Sequence, residues 1–209
     1  MSRLSRLFKL SRLSRLPGLS RLSGLGPWPP LVATASAVLG VAQLVHTQVV
    51  PFASAGDYLI EAAYSLYLAS AIPGVLTIRR ANPKWGLPGN IGTVLYALAH
   101  GLIAIPVSMT LLLTNQPPPQ LSMLFLPGLA LWLAGSALMG IAMFRQNQPI
   151  LGIALPAALP LAMLLGAAGP LVEAALWATL STTGTRRQQP PHASPRQHPS
   201  PGRRRRAAT

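Results

Sequence analysis

Residues 55 to 80, AGDYLIEAAYSLYLASAIPGVLTIRR, set the terms for the rest of the chain. About 20 apolar residues span the roughly 30 Å hydrocarbon core of a bilayer. This run has that length, with two carboxylates at one end and two arginines at the other. It reads as a transmembrane helix. A charge at the centre of such a helix costs about 2.5 to 3.5 kcal/mol on insertion scales, so Asp57 and Glu61 stand out. They are two of the three acidic residues in the protein, the third being Glu173. Their i, i+4 spacing puts them on one helix face with Tyr64, Ser65 and Leu68.

The rest of the chain agrees with a bilayer setting. Half of the 209 residues are apolar and 10% are charged, against roughly 25% in soluble domains. With no cysteine, disulfides, zinc-thiolate sites and iron–sulfur clusters are excluded, and no cofactor is expected. Most of the net charge of +14 lies in two tails that flank the apolar segments. Anionic lipid headgroups, rather than nucleic acid, are therefore the partner expected for the arginine-rich ends.

Residues 1 to 29 form a basic N-terminal tail in which SRL recurs and leucine falls at every third position from 4 to 22. In a helix that stripe slips about 60° per repeat, so the tail reads either as an imperfect membrane-surface anchor or as an unstructured basic arm. Helices are then expected near 31–50, 57–78, 91–113, 121–144, 150–167 and 170–184, with a disordered Arg/Pro-rich tail over 185–209. On the first of them Ser36, Gly40, Gln43 and Thr47 share one face, which should turn toward other helices. The apolar stretch from Ile150 to Thr183 would be about 50 Å long as one helix, so it should break near Ala167 to Pro170.

Basic residues occur before the first span, between the second and third, between the fourth and fifth, and after the last, while the alternate loops carry none. That is the positive-inside pattern for a multi-pass protein of the cell membrane with both termini in the cytoplasm. Two inward termini require an even number of spans. The expected fold class is thus an all-α transmembrane bundle of about six helices, with five as the alternative.

An offset of 65 residues pairs Tyr67 with Trp132, Ala69 with Ala134, Arg80 with Arg145 and Asn82 with Asn147. Duplication of a helical hairpin and convergence of apolar helices with shared basic caps both produce such matches. The short basic turns TIRRANPKWG and AMFRQNQP make residues 30 to 185 resemble the small, uncharacterised multi-pass membrane proteins of GC-rich bacteria. The resemblance implies a six-helix bundle and no particular activity.

The chemistry sits in few residues. His46, Asp57, Glu61 and Glu173 are expected in the outer half of the membrane, with His100 near mid-depth on the same side of its helix as Gly92 and Tyr96. Ionisable groups in a bilayer face the bundle interior and often mark ion or proton paths. They also serve as helix caps and interhelical hydrogen bonds. His46 is the expected partner of Glu61, across the short hairpin. No metal-ligand spacing, nucleophile motif or phosphate loop occurs, so no enzyme is expected. Ala158, Ala162 and Gly166, with Ser136 and Gly140, suit close helix packing, within the chain, in a homo-oligomer or against a membrane partner. Two function classes stay open: a structural or regulatory membrane component, and a small proton- or solute-coupled transporter or channel-like protein using the His/Asp/Glu cluster.

Overall fold

The computed structural model describes residues 26 to 187; the expectations for the SRL tail up to residue 25 and for the tail beyond 187 lie outside the described residues. Seven α-helices are formed: α1 (Trp28–Val45), α2 (Ala55–Ala81), α3 (Gly86–Leu113), the single turn α4 (Pro119–Ser122), α5 (Phe125–Phe144), α6 (Pro149–Leu165) and α7 (Gly169–Arg187). Among the described residues there is no strand. Proline opens α1, α4 and α6, where its missing N–H and fixed φ cost nothing. Thr114 closes α3 with φ 54°, and Gly166 closes α6 with the same φ, a left-handed conformation that glycine adopts without strain.

The six long helices form a closed ring. α1 packs on α2, α2 on α3, α3 on α5, α5 on α6, α6 on α7, and α7 returns to α1. Glycines mark how near and in what direction the neighbours run. Gly74, late in α2, faces Val32 early in α1, and Gly128, early in α5, faces Ile103 in the second half of α3. A Cβ on Gly92 would lie 2.7 Å from the carbonyl oxygen of Gly135, and one on Gly140 would lie 2.5 Å from that of Gly152. Backbone therefore meets backbone at the α3/α5 and α5/α6 seams, as small residues allow in a membrane. Gly40 packs on Leu171, and the Ser36 hydroxyl donates to the Pro170 carbonyl at 2.6 Å, so the first part of the polar face expected on α1 turns inward, against α7, while Thr47 lies beyond the helix and is exposed.

Closing a ring in which every neighbour is antiparallel requires an even number of helices. By length and composition alone five stretches could cross a membrane, the last being Pro149–Thr182 with 34 residues. That last stretch doubles back at Gly166 to Ala168, with Gly169 against the carbonyl of Ala162, and Leu151 from the start of α6 lines one groove with Thr179 from the end of α7. Its two arms are about 26 and 28 Å long at 1.5 Å per residue, near the bilayer core thickness. The outside of the ring is a coat of exposed side chains such as Val41, Leu66, Leu98, Leu126, Leu133 and Ile153. So much exposed apolar surface fits a membrane protein and would aggregate in water.

Two ends of the ring can be told apart. Arg79, Arg80, Lys84 and Arg145 lie at one, the basic end, where Arg79 also bonds Asn90. The turns at 46–54, 114–118 and 166–168 lie at the other, the uncharged end. Toward the basic end the interior is filled by Val32, Val75, Met139, Met143 and Trp177, each 1% exposed or less. Three elements depart from the sequence expectation: α3 starts at Gly86 rather than near 91, the helix expected over 121–144 is divided into α4 and α5, and α1 is shortened. α1 stops at Val45 rather than near residue 50, because His46 is extended (φ −142°, ψ 129°) and the β-branched Thr47, Val49 and Val50 have little helix propensity. The chain from 46 to 54 instead folds over the start of α2.

Candidate functional site

That loop is held by one side chain. Asp57, with no exposed surface, is the third residue of α2, and Ser54 caps the helix in a reciprocal capping box. Its Oδ1 accepts from His46 Nε2 at 2.9 Å and from the Val49 N–H at 2.9 Å. Its Oδ2 accepts from the N–H groups of Ala53 at 3.0 Å and Ser54 at 2.8 Å, and from the Ser54 hydroxyl at 2.8 Å. A carboxylate can only accept, so the hydrogen of the imidazole is placed on Nε2, which also lies 3.1 Å from Ser54 Oγ. Gly56 lets the ring lie flat on the first turn, since a Cβ there would come within 2.7 Å of it. The sequence paired His46 with Glu61; the structure pairs it with Asp57, because α1 ends early and the extended chain brings the imidazole to the cap.

Glu61, one turn further, is also buried and accepts from Gln48 Nε2 at 2.9 Å. It lines a cleft of about 310 Å³ that opens at the uncharged end, with Gln43, Tyr64, Thr110, Gln116 and Phe125. Gln43, Tyr64 and Phe125 also border a second lobe of about 310 Å³, whose walls include Ser36, Tyr67, Trp132 and Glu173. The two lobes lie side by side and share these three side chains, and the second also reaches the turn at 166–168 through Gly166, Gly169 and Pro170.

Glu173 lines this second lobe. It is 3% exposed, and neither carboxylate oxygen has a hydrogen-bond partner. The Tyr67 hydroxyl stands beside it but also lacks a well-oriented partner, as do Trp177 Nε1 and His100 Nε2. His100 is fully buried and its Nδ1 meets the Tyr96 carbonyl at 2.9 Å, so Nδ1 carries the hydrogen and Nε2 presents a bare lone pair. Its ring stacks on Tyr96 at 4.3 Å and meets Trp132 at 4.5 Å, and Tyr67 and Trp132 are 6.4 Å apart. Comparison with known protein families, with curated proteins and with solved structures returns no match. The geometry alone must carry the functional reading.

The five ionisable residues singled out from the sequence thus form two groups rather than one cluster. His46, Asp57 and Glu61 gather at the uncharged end, while His100 and Glu173 lie apart from them, His100 against the rings of Tyr96 and Trp132 and Glu173 beside the Tyr67 hydroxyl. No three of the metal-ligating side chains come together among the described residues. Tyr67 and Trp132 had been visible only as matched positions of the 65-residue repeat, and Trp177 was missed. The readable signal was the i, i+4 spacing of Glu173 and Trp177, which places two costly side chains on one face of an otherwise apolar helix.

Proposed function

We propose that this is a multi-pass protein of the cell membrane, with both termini in the cytoplasm, that moves a small solute in exchange for protons through the cleft lined by Glu173. The observation that carries it is the unpartnered, buried Glu173 carboxylate in a lobe that reaches the turn at the uncharged end. Native structures pair their buried polar groups, and a cluster of unpaired ones marks a place where water, a proton or a ligand is expected. With the basic loops inside, the cleft opens outward, and Val32, Val75, Met139, Met143 and Trp177 fill the interior between it and the basic end. An access path on one side only is what alternating access requires of one of its states.

A transporter of this kind takes up and releases a proton at Glu173, with the Tyr67 hydroxyl as the nearest group able to pass it. No enzymatic step is proposed. The tails, through their arginines, hold the basic end on anionic lipid. Reconstitution into liposomes with a pH-sensitive dye inside tests the transport, with tetraethylammonium, lysine, aspartate and sucrose added outside in turn to sample solute charge. Proton movement that follows at least one of these and disappears in Glu173→Gln is expected. Absence of movement with all four, together with an infrared carboxyl signal that Glu173→Gln leaves unaltered between acidic and basic pH, would overturn the proposal.

A further inference from the structure

We infer that the solute held in the inner lobe is a lipophilic organic monocation, such as a quaternary ammonium or phosphonium ion. This rests on the reading of the cleft as a transport path and adds the class of substrate. Three observations carry it. The lobe contains one carboxylate, Glu173, and among the described residues the basic side chains, Arg79, Arg80, Lys84 and Arg145, all sit at the far, basic end. An anion would therefore meet only negative charge. The walls are aromatic, with Tyr64, Tyr67, Phe125 and Trp132 around the same space, and a cation over such faces is attracted by the ring quadrupole, the more so when desolvated. Charged acceptors are scarce. Besides the Glu173 carboxylate the side-chain acceptors are the neutral Gln43 amide oxygen and the Ser36, Tyr64 and Tyr67 hydroxyls, a poor set for hard metal ions, which favour carboxylates and carbonyls.

A large cation whose charge is spread over carbon needs one counter-charge and apolar contact, and the lobe supplies both. Its volume of about 310 Å³ falls at the lower end of the range for small-molecule sites. The exchange balances in charge and atoms. The Glu173 carboxylic acid gives its proton to water in the cleft as the cation arrives, the carboxylate then faces the cation, and a proton returns when the cation leaves. Only the O–H bond changes. The other titratable groups around Glu173 are Tyr64 and Tyr67 from α2 and Tyr96 from α3, while α1, α5 and α6 contain none.

The test uses the full chain purified in detergent and tetraphenylphosphonium as the probe, with tryptophan fluorescence and calorimetry as readouts. Saturable binding with release of about one proton per cation is expected, weakening as the pH falls. Glu173→Gln should abolish the proton release and, like Phe125→Leu, weaken binding by about tenfold or more. Phe125 is only half-buried, so this second variant keeps the test open if the first does not fold. Binding unchanged in both variants would mean partition into the micelle and would overturn the inference. No binding, while aspartate or sucrose still drives Glu173-dependent proton movement in liposomes, would overturn the organic cation and leave the transport reading standing. Loss of every Glu173-dependent proton signal would sink both.

Discussion

Asp57 and Glu173 are equally hidden from solvent and chemically near-identical, yet one receives five hydrogen bonds and the other none. Asp57 sits where a helix starts, among backbone N–H groups that have no intrahelical acceptor, and it satisfies them. Glu173 lies one turn inside α7, where the N–H groups already serve the helix, so only side chains from other helices could meet it. Those neighbours are aromatic. The same functional group is thus a fastener in one place and an open valence in the other, and the difference follows from its position along a helix. A buried charge is evidence of function only when its surroundings leave it unanswered.

Substitutions can break this contrast, and the largest effect belongs to Asp57. Asp57→Ala strands the Val49, Ala53 and Ser54 N–H groups, each costing about 1 to 3 kcal/mol if left buried, so a loss of roughly 3 kcal/mol or more is expected. Thermal unfolding in detergent, followed by tryptophan fluorescence, should show a drop on the order of 10 °C. Asp57→Asn should be nearly as damaging. Its amide NH₂ must face at least one set of donors, and full rescue by asparagine would show that the carboxylate is not the centre of the loop. Next comes His46→Leu, which removes a single donor and should cost about 1 to 2 kcal/mol, with faster amide exchange at 46–54 as the signature in mass spectrometry. Ser54→Ala loses the cap itself and should cost about 1 kcal/mol, read from the same melting curves.

At Glu173 the sign should reverse. Glu173→Leu removes an unanswered polar group and should leave the melting temperature unchanged or raise it by up to about 3 °C, while ending proton movement. A large destabilisation there would mean that the carboxylate is structural after all. Glu61→Gln is the mildest change, expected within about 0.5 kcal/mol of the parent, because the amide oxygen can still accept from Gln48.

The helices were legible because hydropathy and loop charge act along the chain, and a 34-residue apolar stretch containing Gly166 and Gly169-Pro170 announces its own turn. The limits of α1 were not. Val49 and Val50 look like the tail of a membrane span, and only the position of Asp57 beside them in space shows that the Val49 N–H is committed elsewhere. The rarity of acidic residues pointed to Asp57, Glu61 and Glu173, but not to how they divide. That division depends on which helices adjoin, and so on the ring closing between α7 and α1, a contact between residues far apart in the sequence. The aromatic floor was hidden for a related reason. Tyr67, Tyr96, Trp132 and Trp177 come from four different helices, and on each helix taken alone a single ring is an ordinary core residue.

The α1/α7 seam also imposes an order of events on biosynthesis. Ser36 finds its acceptor, the Pro170 carbonyl, 134 residues later in the chain. At roughly 5 to 20 residues per second of synthesis, the first helix waits on the order of ten seconds for the last. During that interval Ser36, Gly40 and Gln43 face lipid or borrow another partner, and the ring stands open on one side. A ribosome that stalls before Gly169 therefore leaves an arc of helices with an unmatched polar edge on α1 and an apolar one on α6, a ready target for membrane quality control or for a second arc of the same kind.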